Sequence, residues 1–264
     1  MNLELAGKTA LISGSSQGIG FAIADALAKE GVNVVINSNT PEKLDCAIDK
    51  LSKAAPKVRV TGVVADLSTA QGAHEAVLRA PKIDILVNNV GFYTAKDFLN
   101  VSDADWDQIL NLNFMSGVRL SRAYLPVMQA SGWGRIVFIS SESGVKIPRE
   151  MIHCGVSKAA QIAVARGIAE TTTGTNITVN SVLVGHTRLE GVEAFIKQMV
   201  ASRGVTEDQV VEEFFKTVRP TSIIKRFICP QEVAGLVAYL CSPLAAATTG
   251  TAVRIDGGVV PAIP

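Results

Sequence analysis

Cysteine is scarce in this chain of 264 residues: Cys46, Cys154, Cys229 and Cys241 stand far apart, and no C-x-x-C pair occurs. A disulfide framework and a zinc finger are thereby excluded, and four reduced thiols are expected. Neither sign of charge dominates, with 25 Lys and Arg against 24 Asp and Glu and a formal net charge of +1. Without a long basic run there is no general electrostatic case for nucleic acid or an acidic membrane surface, so small molecules are the expected partners. No apolar run reaches the ~18 residues of a membrane span. The N-terminal MNLELAGKTALISG also lacks a basic leader followed by an apolar core and a small-residue cleavage site. A soluble, cytoplasmic protein is expected. Charged residues make up only 19%, too few for disorder, while 48% hydrophobic residues supply a large two-sided core. A single domain over 1–264 accommodates this length.

Short apolar runs alternate with stretches of helical period along the whole chain. Strands are predicted at 8–13, 32–36, 58–65, 83–87, 136–139, 177–183 and 250–255. Helices are predicted at 21–30, 41–53, from near Thr69, at 106–129, 155–171 and 230–240, with one or two more in 190–217. This alternation implies an α/β fold, a doubly wound parallel sheet of the Rossmann type with about seven strands and helices on both faces.

The first strand runs into Gly14-Ser15-Ser16-Gln17-Gly18-Ile19-Gly20 and then a helix. Glycines in a strand–turn–helix context let the backbone approach a pyrophosphate, and the helix N-terminus offers unpaired N–H donors and a positive dipole. The second strand is followed by Asn37-Ser38-Asn39, where dinucleotide folds carry an acid for the ribose 2′-OH or a base for a 2′-phosphate. With no acid to repel it, and with Ser38 and Asn39 able to donate, a 2′-phosphate is favoured, so NADP(H) is expected over NAD. Asp66, ahead of Leu67, is placed to cap the helix near Thr69, a role compatible with a cofactor contact. Asn88-Asn89-Val90-Gly91 follows the fourth strand, and Asn113 is the polar exception on the apolar face of the long helix.

In the stretch RIVFISSESGVKIPREMIHCGVSK, Ser141 stands at the carboxyl end of a strand and Lys158 on the next helix. The whole chain resembles the short-chain dehydrogenase/reductase family, in which a serine precedes a Tyr-x-x-x-Lys helix motif by about a dozen residues. Cys154 occupies the tyrosine's place, four before Lys158. The resemblance implies hydride transfer between a dinucleotide and a carbonyl or alcohol, with Ser141, Lys158 and Asn113 as catalytic residues and Cys154 at the position of the proton donor. It implies cofactor contacts from Gly14, Ser16, Gln17, Gly18, Ile19, Gly20, Ser38, Asn39, Asp66, Leu67, Asn89, Gly91, Lys158, Gly185 and Thr187. It further implies a substrate lid over 189–217, a partly apolar substrate, and a homodimer or homotetramer.

Acidity is no obstacle for a thiol, whose pKa near 8.5 lies below the phenol's ~10, but reach is, since the sulfur lies one bond beyond Cβ. Three outcomes follow for Cys154. Water relays the proton and turnover is slow, or a low-pKa thiolate beside Lys158 does covalent chemistry, or the site binds cofactor without turnover. Val184, His186 and Leu189 also depart from the family's pattern in the loop over the nicotinamide. His153 beside Cys154 lacks a third ligand, and no metal is expected.

Overall fold

Parallel pairing organises the molecule, of which the computed structural model describes residues 2–263. Met1 and Pro264, the ends of the expected 1–264 domain, lie outside the described residues. The strands are β1 (Thr9–Ile12), β2 (Asn33–Ser38), β3 (Val60–Val64), β4 (Ile85–Asn88), β5 (Gly134–Ser141), β6 (Ile177–Val184) and β7 (Ala252–Ile255). They form one sheet in the order β3-β2-β1-β4-β5-β6-β7, every pair parallel. The order reverses between β1 and β4, and ligands of such sheets bind outside the strand ends at that switch point.

The helices are α1 (Gly18–Lys29), α2 (Pro41–Ala54), α3 (Ala70–Arg79), α4 (Asp103–Ile109), α5 (Ser116–Ser131), α6 (Ile152–Glu170), α7 (Glu190–Arg203), α8 (Glu207–Thr217) and α9 (Pro230–Cys241). Successive strand residues point to opposite faces and join different cores. Ile12, Ile36, Val87 and Val137 pack with Ile23 of α1 and Val237 of α9, while Leu11, Val35, Leu86 and Phe138 pack with Leu120 and Tyr124 of α5. Strands covered on both faces read as unbroken apolar runs, which is how the sequence carries them. Each large side chain so buried contributes roughly 1.5–3 kcal/mol.

The predicted 106–129 helix is three pieces. Ser102 and Asp105 form a capping box that starts α4 at Asp103, a π-helical turn over Leu110–Met115 follows, and α5 continues to Ser131 before left-handed Gly132. Pro126 does not end it, because buried Leu120, Tyr124 and Met128 anchor the helix on both sides of the lost hydrogen bond. Helix α1 begins three residues earlier than predicted, so Gly18 and Gly20 form its first turn. The predicted insertion over 189–217 is α7 and α8, closed on a small core of Ile196, Val210, Phe215 and Phe227. Phe195 of α7 is exposed.

Candidate active site

The loop after β1 is shaped by glycine at two scales. Gly14 and Gly18 take positive φ of 59° and 61°, which side chains disfavour. Gly20 answers to crowding: a Cβ there would stand 2.5 Å from Asn89 Nδ2 and 2.6 Å from the Gly14 carbonyl. Asn89 Nδ2 donates to the carbonyls of Ser13 and Gly14 at 2.9 Å each, tying the end of β4 to the loop. At the N-terminus of α1, Gln17 is extended and makes no side-chain cap, and the first turn holds no acid. The leading N–H groups are therefore left for an anion.

Beside this loop a cavity of about 240 Å³ is lined by Ser16, Gln17, Ser38, Asn39, Asp66, Leu67 and Gly91. Asn37 also borders it but is occupied: Oδ1 accepts from the Gly14 N–H at 3.1 Å, and Nδ2 donates to the Val63 and Ala65 carbonyls at 3.1 Å each. Ser38 Oγ accepts from Ser16 Oγ and the Thr40 N–H, and Asn39 Oδ1 accepts from Thr40 Oγ1. Lys43, in the first turn of α2, lines the same cavity. The sequence reading missed it, although a cation one turn past the second strand was there to be noticed. Asp66 does not cap α3, as one reading expected. Thr69 does, accepting from the Gly72 N–H, while Asp66 Oδ1 accepts from the Ser68 N–H at 3.0 Å.

A second cavity, of about 420 Å³, gathers Gly14, Gln17, Gly18, Ile19, Gly20, Asn89, Gly91, Asn113, Ser141, Cys154, Lys158, Gly185 and Thr187. The two cavities between them collect every candidate residue named from the sequence. Strand β5 delivers Ser141 at its last residue, and α6 delivers Cys154 and Lys158 one turn apart. Lys158 Nζ donates to the Ile139 carbonyl at 2.9 Å, and burial pushes its pKa down to about 8. Asn113 sits inside the π turn, where Nδ2 donates to the Phe92 carbonyl at 2.9 Å and to Ser157 Oγ at 3.0 Å. Its Oδ1 accepts from the Phe92 N–H at 2.9 Å. The side chain thus ties the π turn to the loop after β4 and to α6.

Cys154 is buried, its sulfur accepting from the Thr94 N–H at 3.4 Å and donating to the Thr94 carbonyl at 3.5 Å. Burial pushes the thiol's pKa up, and the Thr94 hydrogen bond and the Lys158 charge oppose this only in part. The low-pKa thiolate considered from sequence is therefore corrected: lysine one turn away does not overcome desolvation. His153 Nε2 is 4.0 Å from that sulfur and its ring meets Trp106 edge-on. No group of three or more His, Cys, Asp or Glu residues stands ready for a metal among the described residues.

Glu142, His186 and Arg219 line the same cavity, and sequence reasoning gave Glu142 and Arg219 no role. Glu142 is 5% exposed and accepts a short hydrogen bond from Ser141 Oγ. His186 Nδ1 stands 3.5 Å from Glu142 Oε1 but is not aligned to donate to it, and the ring packs on Phe214. Burial, with Arg219 adding to it, pushes His186 down to about 4, while burial pushes Glu142 up. The only signal for Glu142 in the sequence was adjacency to Ser141; its burial depends on distant segments. Thr187 pairs with Ile228 in an isolated parallel bridge that fixes the loop after β6, and a Cβ on Gly185 would meet the Asp256 carbonyl at 2.7 Å.

Residues 14–260 match a family model described as "Enoyl-(Acyl carrier protein) reductase". The chain is 42% identical over 260 residues to the oxidoreductase YvaG of Bacillus subtilis (strain 168), covering 98% of each. It is 32% identical to D-beta-hydroxybutyrate dehydrogenase of Rhizobium meliloti (strain 1021), over 95% of this chain and 98% of that one. Among solved structures, L-sorbose reductase from Gluconobacter frateurii, complexed with NADPH and L-sorbose, superposes with a TM-score of 0.93 at 31% identity over the whole of both chains. With the sheet order, the glycine loop and the Ser141 and Lys158 placement, these matches put the chain in the short-chain dehydrogenase/reductase family of NAD(P)-dependent oxidoreductases.

Proposed function

We propose that this protein interconverts a carbonyl compound and its alcohol with NADP(H), the proton step being slowed or redirected because Cys154 stands at the family's tyrosine position. The observation that carries this reading is the convergence in one cavity of the glycine loop with Ser141 and Lys158. Bound at the loop and the smaller cavity, the dinucleotide supplies or accepts a hydride at the substrate carbon. Gly14, Gly18, Ile19 and Gly20 would cradle its phosphates, Asp66 and Leu67 would border the adenine, and Gly91, Gly185 and Thr187 would flank the nicotinamide end. Ser141 Oγ orients and polarises the carbonyl oxygen, and Lys158 lends positive charge below about pH 8.

NADP is favoured over NAD by the absence of a carboxylate at Ser38 and Asn39 and by Lys43 at the same cavity. The NADPH held by L-sorbose reductase points the same way. The substrate pocket joins apolar Phe92, Met151 and Val192 to polar Ser141, His186 and Arg219, which suits a partly apolar carbonyl compound with a polar end. We place the protein in the cytoplasm as a single-domain homodimer or homotetramer packed through α5 and α6. No helix among the described residues is long and apolar enough to cross a membrane. Fluorescence titration with NADPH and NADH, joined to a turnover assay over a panel of carbonyl compounds, tests the reading. NADPH binding with turnover is expected, and absence of dinucleotide binding would remove its foundation.

A further inference from the structure

Within the reductase reading, one group in the substrate cavity has no assigned task. The Glu142 carboxyl lies in the turn directly after β5, nearly buried, and Ser141 Oγ donates to its Oε2. Ser143 steadies the same hydroxyl, its N–H and Oγ donating to Ser141 Oγ at 3.1 and 2.8 Å. Titratable groups face the carboxyl from each neighbouring element: Lys158 on α6, His186 in the loop after β6, and Arg219 beyond α8. Packing alone gives no reason for an acid here, since an apolar side chain would be buried at far less cost. A carboxyl in a reaction cavity, with one hydroxyl between it and the substrate, has the construction of a proton store.

We propose that Glu142 is that store, exchanging a proton with the substrate oxygen through Ser141 Oγ in place of the phenol that Cys154 does not provide. In reduction, with a hydride and its electron pair supplied to the carbonyl carbon by the reduced dinucleotide, the oxygen takes the Ser141 Oγ proton. The O–H of the protonated Glu142 replaces that proton, leaving a carboxylate that recovers its own from water. One carbonyl, one hydride and one proton thus become one alcohol, and oxidation runs the same transfers backward. Hydroxyl rotation lets the Ser141–Glu142 hydrogen bond run in either direction.

Burial holds the proton on Glu142 to higher pH than on a free glutamate, opposed only in part by the Ser141 hydrogen bond and the Arg219 charge. Neutral His186 beside it brings no positive charge to force ionisation. The phenol of Tyr93 also borders the cavity, but it is 70% exposed, its hydroxyl lies near Gly191 of α7, and it has no hydrogen bond to Ser141 among the described residues.

Glu142→Gln keeps a hydrogen-bonding partner for Ser141 and removes the transferable proton. Carbonyl reduction with NADPH, measured against pH, is compared in the unsubstituted protein, Glu142→Gln, Cys154→Tyr and the double variant. Glu142→Gln is expected to lower kcat by about 10²–10⁴-fold with NADPH affinity unchanged. It should also erase the fall in rate as pH rises through the Glu142 titration, and Glu142→Asp should recover part of the loss. With Cys154→Tyr present, the same substitution should cost less than about tenfold, since a phenol then supplies the proton. Independently of turnover, the carboxyl carbon-13 resonance that Glu142→Gln removes should titrate above the usual glutamate range in the unliganded protein. Equal losses in both backgrounds, or a Glu142 resonance in the usual range, overturn the proposal. Turnover confined to proteins carrying Cys154→Tyr overturns it too while leaving the reductase reading intact. No turnover in any of the four proteins overturns both.

Discussion

The Cys154 sulfur is held by both backbone groups of Thr94, accepting from its N–H at 3.4 Å and donating to its carbonyl at 3.5 Å. A side chain of one heavy atom beyond Cβ is thereby committed to the loop after β4, and burial raises its pKa. It is poorly suited either to protonate a substrate oxygen or to attack a carbonyl carbon.

Cys154→Tyr is therefore expected to raise carbonyl reduction with little change in NADPH affinity, by the roughly 10²–10⁴-fold of a positioned general acid where Glu142→Gln is also present and by less in the unsubstituted protein, where Glu142 already supplies a proton. Cys154→Ser and thiol alkylation should leave the basal rate within about threefold, well inside the factor a lost general acid would show. Steady-state kinetics on all three proteins decide the matter, and a rate that alkylation abolishes would instead make the thiol the reactive group. Val184 and Leu189 border the same cavity, so Cys154→Tyr should also be measured with Val184→Pro added.

The two glycines of the first turn of α1 should differ in sensitivity. A Cβ on Gly20 would overlap Asn89 Nδ2 and the Gly14 carbonyl, whereas one on Gly18 meets Leu189 Cδ2 at a tolerable 3.6 Å and suffers only from its φ of +61°. Gly18→Ala should cost about 1–2 kcal/mol of backbone strain. Gly20→Ala should cost more and weaken NADPH binding at least about tenfold, since the loop must move. Thermal melts and fluorescence titrations compare them, and equal effects would contradict the crowding argument.

At the ribose end, Ser38→Asp should reverse the preference for NADPH over NADH by placing a carboxylate against the 2′-phosphate. Lys43→Ala should weaken NADPH binding by several-fold, at most about 1 kcal/mol for an exposed charge pair, and leave NADH unchanged. Paired titrations with both dinucleotides read this directly. A protein that already prefers NADH contradicts both expectations.

Lys158 links stability to pH. Its folded pKa of about 8 lies below the ordinary 10.5, so its contribution to stability is fully present above 10.5 and is lost as pH falls through about 8. Relative to Lys158→Met, which does not titrate, the unliganded protein should gain melting temperature as pH rises across that window. A difference that stays flat there would mean that solvent in the cavity keeps the amine at its ordinary pKa.

Local chemistry was enough to place the strands, the glycine loop, Ser141 and Lys158. Doubly covered strands must read as apolar runs, and a close-approach turn must be built from glycine. Lys43 was legible in the same way and was overlooked. Asp66 and the helix over 106–129 were read with the right location and incomplete detail, because the Thr69 cap and the π turn depend on which of several nearby polar groups takes each backbone partner.

The amino-acid sequence by itself therefore determined the order of elements, through periodicity, and the glycine loop, through short-range spacing, while the resemblance to the family supplied the catalytic candidates and most of the cofactor-side ones. Only the tertiary structure decided that Asn37 turns inward to Gly14, Val63 and Ala65 and that the Cys154 thiol is spent on Thr94. It alone decided that Glu142 is buried beside His186 and within reach of the Arg219 charge. Those outcomes rest on burial and on contacts between segments far apart in the chain, and desolvation, which sets the protonation of Glu142, Cys154 and Lys158, exists only once such segments have closed over them.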